Sequence, residues 1–306
     1  METPLRPKVA IAIATYARPA SLRELLGSLN EAISRCPKAE TSIIVVDNDP
    51  EHSARAVCVR AETSASLVYR VQPIAGIAAT RNLAVHEAAD SDFIVFVDDD
   101  ETVTPDWLAS LLQTQETSGA DMVTGPVHSL LPSGTPKTIR DSGIFDRETR
   151  AEGTALKEAA TNNLLCKYSL FSSRDESAWF NLAFGLSGGS DAELTRRLHN
   201  CGAKIVWSEK AVVRERIPLE RASEAWLARR LRRTGSIDYR LSRQRACKRV
   251  WGVSVGITRV MSSIVPLMLD RYFRRTLNVG AFRRFFRGIG FIEAATVGGH
   301  QEYKRR

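Results

Sequence analysis

The stretch Phe93-Ile94-Val95-Phe96-Val97-Asp98-Asp99-Asp100-Glu101 runs from an apolar segment of strand length into four consecutive carboxylates. Negative charges crowded at one strand end repel each other and lose hydration unless a positive charge lies among them. Hard divalent cations such as Mg²⁺ or Mn²⁺ prefer oxygen ligands of this kind. A helix start near Thr104-Pro105-Asp106 would account for Glu101 as a capping acid, but not for the three aspartates on the strand end. The stretch therefore predicts a site for Mg²⁺ or Mn²⁺ and a phosphate-bearing substrate.

The sequence before this stretch alternates strand-like and helix-like segments. Buried strands are expected at 8–14, 41–46, 67–71 and 92–97. Helices are expected from the amphipathic or polar patterns at 21–34, 51–62 and 76–89. This βα repeat predicts an α/β fold with a Rossmann-like, mostly parallel sheet and helices on both faces.

Polar side chains follow the predicted strands at the edge where open sheets of this kind bind ligands. They include Thr15 and Tyr16 after the first strand, Asp47 after the second, and Asp98 to Asp100 after the fourth. The first βα turn lacks G-x-G-x-x-G, and G-x-x-x-x-G-K-[ST] is absent from the sequence. This argues against a dinucleotide-dependent dehydrogenase and a P-loop NTPase.

Five blocks make the chain resemble family-2 glycosyltransferases of the GT-A fold. In the family's order they are 9–18, 43–48, 76–82, 97–100 and 188–194, within a region from about 7 to about 235. The resemblance implies an inverting enzyme that moves one sugar from a nucleotide-diphosphate donor, with UDP the expected carrier. Processive members of the family usually have several membrane spans and a Q-x-x-R-W signature, and neither is found here.

Carried over to this sequence, the resemblance assigns four aspartates. It implies that Asp47 contacts the base, Asp98 lies near the ribose, Asp100 binds the metal, and Asp191 is the catalytic base. The family's Glu-Asp pair reads Ser190-Asp191 here, which departs from the pattern. Asp191 is also suited to a helix N-terminus capped by Ser190, and both roles are compatible.

Further candidates come from neighbouring segments. Asp99 belongs to the carboxylate run and is expected in the nucleotide-sugar site. Arg81 and Asn82 have the reach to touch the nucleotide or support the carboxylates, although their segment is also an ordinary Ala-rich helix. The family tends to place an asparagine near the sugar at the position of Asn163. Glu215 stands near where many relatives have a metal-binding histidine, so it is a second candidate metal ligand.

Two arginines on a predicted helix, Arg229 and Arg230, are candidates for the diphosphate. A guanidinium keeps its charge and binds phosphate oxygens bidentately. The alternative is a solvated or lipid-facing basic helix.

The C-terminal part is strongly basic. Residues 214–306 contain 22 Lys and Arg against 7 Asp and Glu, whereas residues 1–213 contain 21 and 28. The segment 251–269 is apolar but has Arg259 at its middle, which favours lying in a membrane interface over spanning it. Aromatic and arginine residues mix in the segments that follow, as in interfacial helices, and no nucleic-acid-binding module accompanies them. We therefore expect peripheral attachment to the anionic inner leaflet of the cell membrane and no nucleic-acid partner.

These observations give a domain plan. A GT-A catalytic domain is expected over 1–235, with a nucleotide-sugar half at about 7–125 and an acceptor half at about 126–235, followed by a basic amphipathic helical region at 236–306. An N-terminus without a signal-peptide segment and scattered cysteines indicate the cytoplasm. The expected acceptor is a glycan or lipid-linked intermediate of a cell-surface polysaccharide. A metal-dependent nucleotidyltransferase and a non-catalytic nucleotide-sugar or membrane-binding protein remain as alternatives.

Overall fold

A computed structural model describes residues 6–175, 179–185, 188–242, 249–274 and 276–297. These residues form two compact units: one from residues up to 128 together with 147–215, the other from 129–146 together with 216–297. The division after residue 215 differs from the domain boundary predicted at 235. Parts of the predicted C-terminal region, at 243–248, 275 and 298–306, lie outside the described residues, as does Cys247.

The first unit is built on an eight-stranded sheet with the order β3-β2-β1-β4-β9-β6-β10-β8. Its strands are β1 (Lys8–Thr15), β2 (Glu40–Asp47), β3 (Ser66–Val71), β4 (Phe93–Asp98), β6 (Met122–Thr124), β8 (Ala155–Leu156), β9 (Asn163–Lys167) and β10 (Ile205–Trp207). A second sheet has the order β5-β11-β7, formed by β5 (Glu101–Val103), β7 (Val127–Leu130) and β11 (Val213–Arg216).

The helices of the first unit are α1 (Pro19–Ser34), α2 (Arg55–Val59), α3 (Ile77–Glu87), α4 (Trp107–Ser118), α6 (Ser169–Ser172) and α7 (Ser190–Asn200). Those of the second unit are α5 (Lys137–Arg140), α8 (Glu224–Ser242), α9 (Arg249–Leu269) and α10 (Val279–Thr296). The four predicted βα strands and their helices are confirmed, and α2 is shorter than the pattern indicated.

Alternate side chains of β1 enter two separate cores. Ile11 and Ile13 are fully buried on one face with Leu25 of α1, whereas Ala12 lies on the other face among residues that include Phe96. Fully burying an aliphatic side chain stabilises a fold by roughly 1.5–3 kcal/mol, so both faces hold the sheet in place. The predicted sheet, with helices on both faces, is confirmed.

The sheet is parallel from β3 to β4, and β9 then enters it antiparallel. Phe96 of β4 lies opposite Leu164, and β9 pairs on its other side with β6. This insertion brings the segment before β9 to the carboxyl end of β4. The ends of β1, β2 and β4 and the start of β9 therefore meet at one edge.

The second unit contains a bundle of α8, α9 and α10. Its cores include Leu227, Phe282, Tyr239 and Phe291. Among the described residues, one helix, Val250–Phe273, is long and apolar enough to cross a membrane.

Candidate functional site

The acidic stretch forms a turn between the two sheets of the first unit. β4 ends at Asp98, and β5 begins at Glu101. The carboxylate of Glu101 accepts hydrogen bonds from the backbone N–H of Asp98 at 3.1 Å and from Asn162 Nδ2 at 2.8 Å. Burial, together with repulsion from Asp98 and Glu215, raises the pKa of Glu101 well above its usual range. Glu101 thus fixes the turn that presents the three aspartates.

Arg18 supplies positive charge to this turn. Its Nη1 donates to Asp99 Oδ1 at 2.8 Å and to Asp100 Oδ2 at 2.9 Å. Asp99 also accepts from the hydroxyl of Thr15 at 2.8 Å, and burial raises the pKa of Asp99 although Arg18 lowers it. The preceding residue, Ala17, has a left-handed φ of 53°, which is rare for a residue with a side chain. This strained turn directs Arg18 toward the acids.

Asp98 has the most accessible side chain of the three aspartates in this turn, and that side chain is 39% exposed. Arg81 Nη2 donates to its Oδ1 at 3.2 Å. Partial loss of hydration raises the pKa of Asp98; Arg81 opposes this, while repulsion from Asp100, Asp99 and Asp191 adds to it, giving a pKa of about 6. The carboxylate of Asp191 therefore lies close enough to the acidic turn to act on it electrostatically.

Asp191 stands in the first turn of α7, as the sequence indicated, but Ser190 is the first residue of the helix and Gly189, which has no side chain to cap with, is its N-cap. Two glycines with left-handed φ, Gly188 at 78° and Gly189 at 90°, turn the chain into this helix. Asp191 is half-buried, and its Oδ1 accepts from the backbone N–H of Ala192 at 2.9 Å. Its role as base stays a prediction.

Hydrogen bonds from Gly76 and Asn82 fix the start of α3 and its first turns. Gly76 has a φ of 123°, and its backbone N–H donates to Asn48 Oδ1 at 2.9 Å. Asn82 exchanges two hydrogen bonds of 2.9 Å with the backbone of Phe180. Arg81 supports Asp98, whereas the Asn82 amide is committed to this backbone.

Asp47 and Tyr16 occupy different surroundings. Asp47 is fully buried and accepts from the backbone N–H groups of Asp49 at 2.9 Å and Ala54 at 3.0 Å, and from the Tyr69 hydroxyl at 2.9 Å. It therefore shapes the loop after β2. Tyr16 is 49% exposed at the end of β1. Contact of either residue with a nucleotide stays a prediction.

The placement of Asn163 differs from the expectation. Its side chain is 1% exposed and lies in the core, where Oδ1 accepts from Trp107 Nε1 at 2.9 Å. Its amide donates to the carbonyls of Ala211 at 2.8 Å and Pro126 at 3.3 Å. Asn162, in the turn just before β9, is the asparagine that reaches the acidic turn, through its hydrogen bond to Glu101.

The remaining predicted residues lie in different units. Glu215 is opposite Glu101 in the β5–β11 pair, and Arg147 makes an ion pair with it. Arg229 and Arg230 belong to α8 of the second unit, where the Arg230 guanidinium lies 5.2 Å from the ring centroid of Trp226. Their contact with a diphosphate stays a prediction.

Sequence reasoning assigned no role to three residues that contact the acids: Arg18, Asn162 and Arg147. Arg18 lies in the first matching block, so its position beside a strand end was a usable signal. Arg147 comes from an aperiodic segment, and no local pattern indicates its partner.

The donor set fits a divalent cation. In the described part of the chain, no three His, Cys, Asp or Glu residues are already arranged around a metal position. Three guanidinium groups, those of Arg18, Arg81 and Arg147, make ion pairs with the carboxylates of this region. The carboxylates nevertheless outnumber them, and the negative charge of Asp191 acts on the same region. Oxygen ligands with excess negative charge suit Mg²⁺ or Mn²⁺.

Comparison with protein families matches residues 10–173 to the model described as Glycosyl transferase family 2. Among curated proteins, the succinoglycan biosynthesis protein ExoM from Rhizobium meliloti (strain 1021) is 36% identical over 255 residues. The match covers 81% of this chain and 80% of ExoM.

Solved structures share the fold at low sequence identity. S. aureus TarS 1-349 in complex with UDP-GlcNAc has a TM-score of 0.54 and 16% identity, over 96% of this chain and 93% of that one. Against a longer TarS structure, the match spans 38% of that chain's length. The mannosyltransferase PcManGT from Pyrobaculum calidifontis, in complex with GDP-Man and Mn²⁺, has a TM-score of 0.57 and 20% identity, over 76% of this chain and 63% of that one.

Proposed function

The chain is a glycosyltransferase that belongs to glycosyl transferase family 2 and has the GT-A fold, and on this premise we propose that it performs an inverting transfer of a single sugar. The donor would be a nucleotide-diphosphate sugar and the acceptor a hydroxyl group. The observation that carries the proposal is that Asp191, in the first turn of α7, lies near enough to the acidic turn for its charge to add to the effect of burial on the pKa of Asp98. A base and a phosphate-binding turn at one edge are what the reaction requires.

Asp191 is the proposed base. It would accept the proton of the acceptor hydroxyl as that oxygen attacks the anomeric carbon, which requires hydrogen-bond reach. One displacement with one base inverts the anomeric configuration. The half-buried position in the first turn of α7 supports this role, because the helix start fixes the carboxylate and leaves it partly accessible.

Asp100 is the proposed metal ligand, with Glu215, opposite Glu101 in the β5–β11 pair, as the second candidate, and Asp98 is proposed to lie near the ribose. A divalent ion bound there would act as a Lewis acid that stabilises the negative charge developing on the leaving diphosphate. Arg18 holds Asp99 and Asp100 in place, and Arg81 orients Asp98. Thr15, Tyr16 and Asp47 are proposed for the nucleotide end of the site.

The donor and acceptor classes rest on the relatives. TarS was solved with UDP-GlcNAc and PcManGT with GDP-Man. Proteins of this fold therefore bind nucleotide sugars that differ in their nucleobase. We propose UDP as the carrier here. ExoM is named for succinoglycan biosynthesis, which supports a glycan or lipid-linked acceptor in the synthesis of a surface polysaccharide.

We also propose a cytoplasmic location on the inner face of the cell membrane. Along α9, the exposed row Val250, Ile257, Met261, Val265 and Met268 follows helical spacing, and we call it the α9 face. Arg259 does not belong to it, because its guanidinium lies over the ring of Phe291, 4.2 Å from the centroid. The charge at the middle of α9 is therefore turned toward the bundle and away from the α9 face.

Donor binding tests the site. The full chain is measured by calorimetry against UDP-, GDP- and dTDP-sugars with Mn²⁺, with Mg²⁺ and with neither. We expect one nucleotide class to bind only with metal, and Asp100→Ala to abolish that binding, while the exposed-surface variant Asp90→Asn leaves it unchanged. Metal-independent binding, or full binding by Asp100→Ala, would contradict the proposed metal role.

A further inference from the structure

The second unit contains a cavity of about 530 Å³ beside the end of α9 and the start of α10. Its apolar wall is formed by Leu267, Met268, Leu277, Phe282, Phe285 and Phe286. Pockets that hold a small organic ligand have volumes of about 300–1,000 Å³ and mostly apolar linings. The size and lining of this cavity are those of a ligand site.

The cavity is continuous with the α9 face. Met268 lines the cavity and belongs to that face, and Tyr272, one turn further along the chain, lines it too. These side chains are 66% and 80% exposed. An apolar chain that lies along the α9 face would therefore reach the cavity at Met268.

The cavity also has a cation at its wall. Nη1 of Arg271 donates to the carboxylate of Glu224 at 3.0 and 3.3 Å, and the two side chains are 71% and 37% exposed. Such an exposed ion pair is weak, because both charges keep much of their hydration. A phosphate can replace the carboxylate, since a guanidinium binds phosphate through two parallel hydrogen bonds. Both ends of the Asn278 amide are already committed, since Oδ1 accepts from the backbone N–H of Ala281 and Nδ2 donates to Asp270, so Arg271 is the group suited to an anion.

We propose that this cavity binds the single hydrocarbon chain of a lipid phosphate, with the phosphate at Arg271. The volume matches one drug-sized ligand, which favours one chain over the two chains of a phospholipid. The inference rests on the proposed function, because the lipid would be the one that carries the sugar acceptor. It adds the place where that lipid is held.

Photolabelling of the full chain tests this directly. The probe is a long-chain alkyl monophosphate with a diazirine at the chain end, used without nucleotide sugar, and labelled peptides are mapped by mass spectrometry. Farnesyl phosphate, farnesol, inorganic phosphate and phosphatidic acid serve as competitors. Because no donor is present, failure here is separate from failure of the donor-binding experiment.

Labelling is expected within 267–286, with farnesyl phosphate as the effective competitor. Thr276→Trp narrows the cavity, and excluding two methylene groups would weaken labelling by about tenfold. Met261→Trp adds the same bulk to the α9 face outside the cavity and should leave labelling unchanged.

Substitutions in the Arg271–Glu224 ion pair give a second test. Both side chains are exposed, so neither substitution should disturb folding. Arg271→Gln should weaken labelling by about threefold, and Glu224→Gln should strengthen it by a similar factor, because the competing carboxylate is gone. If the ion pair only stabilised the fold, both substitutions would change the labelling in the same direction. Label spread along 250–273 and insensitive to Thr276→Trp, or equal competition by phosphatidic acid, would overturn the proposal.

Discussion

Two neighbouring asparagines show how one residue position decides a role. Asn162 reaches the acidic turn through Glu101, and Asn163 joins Trp107 to two carbonyls in the core. The family resemblance predicted an asparagine near the sugar, but the partners of the two asparagines lie 37 to 61 positions away in the sequence. No local pattern fixes which of two adjacent amides faces the site, because the pairing of β9 with β4 decides it.

Replacing each asparagine should separate the two roles. Asn163→Ala would leave the Trp107 indole N–H and the Ala211 carbonyl without their side-chain partner in a buried region, so the free energy of unfolding should fall by about 2–4 kcal/mol. Asn162→Ala removes one hydrogen bond near the surface and should lower it by about 1 kcal/mol. Urea denaturation followed by circular dichroism measures both. Equal losses would contradict the placement of Asn163 in the core.

At the scale of elements, the strands of the βα repeat could be predicted within one or two residues, because burial on both faces gives continuous apolar runs. The antiparallel entry of β9 and the pairing of β5 with β11 could not. Both join segments far apart in the sequence, and β5 has three residues, too few for a period. The acidic turn was therefore recognisable as a site, while Glu215 could be linked to it only by resemblance.

The packing of α10 against α8 gives a prediction at this scale. A Cβ added to Gly290 would lie 1.9 Å from the carbonyl oxygen of Arg232, which is backbone and cannot move aside cheaply. Gly290→Ala should therefore lower the free energy of unfolding by about 2–4 kcal/mol.

Gly280 provides the matched control on the same helix. It is exposed, and the nearest atom to an added Cβ would be 3.6 Å away. Gly280→Ala should be neutral or stabilise by about 0.5 kcal/mol, because it restricts the unfolded chain without a clash. Thermal unfolding of the two variants side by side measures the difference. If Gly290→Ala behaved like the control, the close contact of the helices would be wrong.

Across the whole molecule, charged residues are distributed unevenly between the N-terminal and the C-terminal part of the chain. Residues 1–213 contain an excess of acids, including the turn proposed to hold a cation, and residues 214–306 contain 22 Lys and Arg against 7 Asp and Glu. Basic charge near an exposed apolar helix face favours an anionic membrane surface. The sequence indicated this partner from composition, but the inward turn of Arg259 depends on packing against Phe291, which composition does not reveal.

The central claim is that Asp191 is the base of a transfer site whose donor end is the acidic turn. The most direct measurement compares donor affinity and transfer rate in the wild type, Asp191→Asn and Asp90→Asn, using the nucleotide sugar found in the binding screen and hydrolysis to water as the acceptor reaction. Asp191→Asn should bind the donor with unchanged affinity and lose about 10²–10⁴-fold in rate, because only proton removal is affected. Asp90→Asn should match the wild type. An Asp191→Asn variant that keeps its rate, or that loses affinity and rate together, would contradict the assignment of the base.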